Sequence, residues 1–174
     1  MNDSYFSTPE FISISLHIIS ILALPLQIFG AYCIVWRSPS TMKSVKWSML
    51  NLHFWSVMLD WSITILIVPV VLFPAAAGFG LGLLDKLGIS LQYQCTLFTA
   101  IIWSVLVATV TVFESRYNLM YGRETLWAKF RYPLLAANWI SAFFYPLPAF
   151  LAFPEQAEAL KVVMEVSLET KTHK

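Results

Sequence analysis

The amino-acid sequence predicts an all-α membrane protein with four transmembrane helices and its N-terminus outside. Three observations carry that prediction. Only 12% of the 174 residues are charged, against about 25% in a soluble domain, while 58% are hydrophobic and 16% aromatic. Four long apolar runs, 11–36, 47–72, 93–113 and 132–154, hold a single charged residue between them, Asp60. As a helix each run spans at least the ~30 Å of a bilayer core. Lys and Arg are also unevenly shared among the connections: Arg37, Lys43 and Lys46 in the first, Lys86 alone in the second, and Arg116, Arg123, Lys129 and Arg131 in the third. Basic loops stay in the cytoplasm, so the first and third connections face inward and the N-terminus, 1–10, faces out. A net charge of +1 offers nothing to a nucleic acid.

Residues 1–10 are short and polar, with Asp3 and Glu10 and no basic residue. Asn2-Asp3-Ser4 has the glycosylation pattern, but it lies so close to the first span that chance is the preferred reading of Asn2. The first span, 11–36, lacks the basic start and short core of a cleaved signal, so it is read as retained. Pro25 is expected to kink it, and His17 to sit near the outer interface. Residues 37–46 form the first cytoplasmic loop.

The second span, 47–72, is the one with polar character. At 100° per residue His53, Ser56, Asp60 and Thr64 fall within about 80° of one another, with Asn51 opposite. An ionisable residue inside a bilayer costs at least about 2.5–3.5 kcal/mol unless it faces protein or water. Asp60 therefore calls for a helix bundle around it. Two readings stay open: a buried ion or proton site, or a protonated, hydrogen-bonded structural Asp. Residues 73–92 make a Gly-rich outer connection. Its glycines lack the Lys-Ser/Thr of a phosphate loop, so no cofactor is expected there. It reads as a bent, tightly packed entry into a loop.

The third span, 93–113, organises the chain. It is free of charge and ends in Phe113-Glu114-Ser115-Arg116-Tyr117, an acid and a base where hydrocarbon gives way to headgroups. Residues 114–131 form the second cytoplasmic loop. The fourth span, 132–154, contains Pro133, Pro146 and Pro148 and is expected to break in its second half. The tail, 155–174, is soluble; Leu160, Val163, Met164 and Leu168 have helical spacing. Cys33 and Cys95 lie in separate runs and fit neither a metal site nor a disulfide framework. No catalytic constellation is present. His53 and Asp60 stand seven positions apart, about 10 Å along a helix, too far for a dyad.

Several local blocks resemble one family: Gly30-Ala-Tyr-Cys-Ile34, Met42-Lys-Ser-Val-Lys-Trp47, Leu50-Asn-Leu-His-Phe-Trp55, Phe73-Pro-Ala75, Gly82-Leu-Leu84, Phe113-Glu-Ser-Arg-Tyr117 and Pro154-Glu-Gln156. In order and at this spacing, from about Tyr5 to about Ala159, the chain is similar to the class H serpentine chemoreceptors of nematodes. The resemblance implies a seven-helix receptor in the plasma membrane of sensory neurons, a small-molecule odorant as ligand, and a heterotrimeric G protein as partner. Glu114, Arg116 and Tyr117 match the family's inner signalling motif. In the wider receptor class the acid and Arg are adjacent. Here Ser115 intervenes and places them about 200° apart on a helix, so a direct ion pair is not expected.

Set beside that family the chain has four spans rather than seven, and no Cys follows Cys95 to pair with it. The expectation is a truncated seven-helix bundle that does not signal alone, is retained in the endoplasmic reticulum, and carries a tail after about Ala159 unrelated to the family. Two other readings are a fragment that pairs with full-length receptors, and a small transporter or enzyme using Asp60, His53 and Asn51. The family resemblance argues against an enzyme.

Overall fold

The computed structural model describes residues 9–38, 43–72, 77–122 and 126–151. It is predominantly helical. In chain order come α1 (Pro9–Trp36), α2 (Lys43–Trp61), a π-helical turn (Ser62–Ile67), β1 (Pro69–Leu72), β2 (Ala77–Gly80), α3 (Leu83–Lys86), α4 (Leu91–Tyr117), a second π-helical turn (Asn118–Gly122), α5 (Trp127–Phe144) and α6 (Pro146–Leu151). Helices pack in the order α1, α2, α4, α5, with α6 also resting on α4. The third apolar run therefore sits at the centre. Its small and β-branched residues Val107, Ala108 and Val112 are buried, together with Val45 of α2 and Ala142 of α5. The outward faces carry large exposed apolar side chains, such as Ile21, Leu22, Leu26 and Phe29 of α1, which is what a helix facing lipid requires.

Three helical stretches are long and apolar enough to cross a membrane: Phe11–Trp36, Val45–Ile67 and Leu91–Tyr121. The described part of the stretch expected as a fourth span, 132–151, lies on α5 and α6. It does not join those three among the described residues, because α5 opens with Lys129 and Arg131 and ends at Phe144. The break expected in its second half falls at Tyr145, just before Pro146. Tyr145 keeps helical dihedrals (φ −59°, ψ −38°) and donates to Ser141 O at 2.8 Å; Pro146 then has no N–H to continue the ladder and opens α6.

The second span ends earlier than the expected residue 72. Its α-helix stops at Trp61 and a π-helical turn carries it to Ile67. Ser62 Oγ donates to Met58 O at 2.7 Å and Thr64 Oγ1 to Asp60 O at 2.8 Å, so hydroxyls occupy carbonyls of the preceding turn where the helix widens. Val68 then adopts φ 45°, a left-handed conformation rare for a β-branched residue, ahead of Pro69. Residues 69–72 leave as a strand, paired antiparallel with 77–80 in the register Pro69↔Gly80 to Leu72↔Ala77. This hairpin is absent from the expected all-helical pattern. The tight packing foreseen for the Gly-rich stretch is found at Gly82, where a Cβ would overlap the Leu66 carbonyl.

The third helix also outlasts its expected end. Residues 114–117 are the last turn of α4, not loop, and Lys129 and Arg131 lie on α5. Asn2 and the amphipathic tail pattern fall outside the described residues.

Candidate functional site

At the C-terminal end of α4 the acid of the motif is buried. Glu114 is 5% exposed. Arg131 Nη2 donates to its Oε2 at 3.1 Å, and Trp127 Nε1 donates to its Oε1 at 3.2 Å. Arg131 Nε also lies 3.0 Å from Oε1, an electrostatic contact without hydrogen-bond alignment. The carboxylate of α4 is thus clamped by a cation and an indole from α5. Ser115 is buried as well, and its hydroxyl meets that of Ser48 on α2 at 2.8 Å. The two inward residues of the motif tie α4 to both neighbours.

Arg116 and Tyr117 take the other side. Both are exposed, and Arg116 has no hydrogen bond or ion pair among the described residues. Tyr117 stands edge-on to Trp127 with ring centres 5.9 Å apart, and 6.1 Å from Tyr121. The same end of the bundle displays Trp36, Trp47, Tyr121 and Tyr132 to the surroundings, near Arg37, Lys46 and Lys129. Lys46 Nζ donates to Val35 O at 2.5 Å and so satisfies a carbonyl at the C-terminus of α1.

The polar stripe of the second span does not act as one unit. Asp60 and His53 both reach α1 and converge on Gln27. Gln27 Nε2 donates to Asp60 Oδ2 at 2.5 Å, Trp61 Nε1 donates to Gln27 Oε1 at 3.2 Å, and His53 Nε2 lies 2.9 Å from the Gln27 carbonyl. Gly30 makes room for this approach, since a Cβ there would lie 3.0 Å from the His53 ring. Ser56 is exposed and bonds Leu52 O of its own helix, while Thr64 is buried and bonds the Asp60 carbonyl. His53 and Asp60 each bond Gln27 and not each other. Asn51, expected on the opposite face, lines the same groove as His53. That groove, about 710 Å³, runs between α1 and α2 and is otherwise apolar, walled by residues such as Leu24, Ile28, Leu50, Phe54 and Val57. His17 is exposed. Cys33 and Cys95 are free thiols.

Three partners escaped the sequence reading: Gln27, Trp127 and Arg131. Gln27 was visible as a polar interruption of the first run. Nothing local links Arg131 to an acid seventeen positions earlier.

The chain is an integral membrane protein, a bundle of membrane-length helices whose central helix ends in an acid-x-Arg-Tyr motif. The family model described as "Serpentine type 7TM GPCR chemoreceptor Srh" matches residues 7–171, and the chain belongs to that family. It is 26% identical over 170 residues to Serpentine receptor class H-72 of Caenorhabditis elegans, an alignment that takes in 96% of this chain and 49% of the relative. The chain spans about half the length of that curated relative. No solved structure matches it significantly. The family match runs through the tail, which corrects the expectation that residues after Ala159 are foreign to the family.

Proposed function

We propose that this chain forms the first half of a chemosensory receptor bundle that binds a small-molecule odorant and couples to a heterotrimeric G protein. Its N-terminus lies outside, and the Glu114–Tyr117 end of α4 lies at the cytoplasmic face of the plasma membrane. The observation that carries this reading is the division of the motif: Glu114 and Ser115 are inside, tied to α5 and α2, while Arg116 and Tyr117 are presented outward at the basic, aromatic end. Tyr and Trp gather at headgroup level and Lys and Arg on the cytoplasmic side, which supports the orientation.

These 174 residues supply at most four walls of a seven-helix cavity. Expressed alone they are expected to give no ligand-dependent second-messenger response and to remain in the endoplasmic reticulum. The check is a cyclic-nucleotide and calcium reporter assay against an odorant panel, with surface biotinylation. A ligand-dependent response from this chain by itself contradicts the proposal. The open α1–α2 groove favours one second role, association with helices of another receptor chain. Co-purification with a full-length class H receptor tests it.

A further inference from the structure

We propose that Arg131 is the counter-charge of the motif acid, and that this lock between α4 and α5 is what leaves Arg116 available to a partner. Arg131 is then a positioning residue for the signalling end. The inference rests on the receptor reading for the meaning of Arg116, but not for the geometry.

Three features of the carboxylate support it. Both Glu114 oxygens are engaged, Oε2 by the Arg131 fork and Oε1 by the Trp127 indole. The Glu114 side chain is 3% exposed and that of Arg131 18%, so the pair is enclosed by the helices and not displayed on a surface. Around it, the described side chains of α2 contribute the neutral Ser48–Ser115 contact, and Lys46 of α2 is tied to Val35 O. No competing counter-charge faces Glu114 among the described residues. A swing of Glu114 toward Arg116 would have to cross about 200° of helix surface and strand the Arg131 guanidinium. The motif therefore works as a clamp between two helices, with Arg116 unpaired among the described residues. An arginine held by its own acid would have to be released before it could meet an anionic group of a partner. In this arrangement no such release is needed.

The lock can be read without ligand or G protein. The purified 174-residue chain in detergent micelles is treated with phenylglyoxal, and adduct formation at each arginine is followed by mass spectrometry. Arg116 is expected to react as fast as the exposed Arg37. Arg131 is expected to react at least about ten-fold more slowly, because its charge-assisted hydrogen bond and ion pair with Glu114 must open first. Glu114→Gln is expected to speed Arg131 several-fold and leave Arg116 unchanged. Arg131→Lys, which keeps the charge and the helix contact, should leave Arg116 fast and serves if Glu114→Gln fails to fold. Equal reactivity of Arg116 and Arg131 in the native chain, or protection of Arg116 that Glu114→Gln relieves, overturns the proposal. Because the readout is chemical, its failure leaves the receptor assignment standing, and absence of signalling leaves the lock standing.

Discussion

Replacing Arg131 by Ala is expected to lower the unfolding free energy of the bundle by about 3–5 kcal/mol, the cost of leaving an ionised partner buried without its counter-charge. The size follows from where Glu114 lies. A surface ion pair contributes at most about 1 kcal/mol, because water screens it and both side chains lose freedom. Glu114, by contrast, is 5% exposed, so its carboxylate cannot turn to water when the guanidinium goes. Trp127 retains one hydrogen bond to it, which does not neutralise a charge. The pair itself is a weak source of net stability, since burying both ions is costly. Removing both charges with apolar residues of similar volume, Glu114→Leu with Arg131→Met, is therefore expected to recover most of the loss. Unfolding titrations in mixed micelles read both effects. A loss below about 1 kcal/mol for Arg131→Ala, in the surface-pair range, would show the carboxylate to be solvated, as would an additive double variant.

The second large effect is expected at Gln27, a residue with no charge. Gln27→Leu removes the donor to Asp60 and strands a carboxyl group between α1 and α2. The expected loss is about 2.5–3.5 kcal/mol, the insertion cost of an unpartnered acid at membrane depth. Asp60→Leu should be milder. It removes the costly group, and Gln27 keeps its bond from Trp61 and its backbone contact with His53. The asymmetry is the diagnostic feature: two residues share one hydrogen bond, yet the neutral one is more damaging to lose. The double variant should lie near Asp60→Leu alone. If Asp60→Leu proved the more harmful of the two singles, Asp60 would be stabilised by something other than Gln27.

Which parts of this architecture were legible beforehand follows from the range of the forces involved. The membrane-length runs could be read from their lack of charge, because that property belongs to each residue and needs no partner. The break near Pro146 could be read because a proline has no N–H to donate, a property of its own backbone. The end of the second span could not. Ser62 and Thr64 look like ordinary polar residues of a helix face. Only the folded backbone shows their hydroxyls on Met58 O and Asp60 O as the helix widens, with Val68 turned left-handed beyond them. The polar stripe was over-read for a related reason. Angular spacing places Ser56 beside Asp60, but a serine hydroxyl is satisfied by its own helix at Leu52 O and has no need of a neighbour. At the motif, spacing correctly separates Glu114 from Arg116. It cannot name Arg131, because that contact depends on how α5 returns against α4.

The central claim is that a receptor bundle presents Arg116 and Tyr117 to the cytoplasm, and orientation tests it most directly. With Cys33 and Cys95 replaced by Ser, single cysteines are placed at Ser40, Leu87 and Thr125, and intact cells are treated with a membrane-impermeant thiol reagent. Fusion to a cleavable surface-exported leader brings enough chain to the plasma membrane for labelling. Leu87 is exposed in the connection between the second and third spans, and it avoids Gly88, whose φ of 73° would strain a side chain. Labelling is expected at Leu87 alone, with Ser40 and Thr125 reacting only after permeabilisation. Labelling of Thr125 in intact cells would put the Glu114–Tyr117 end outside and contradict the receptor reading.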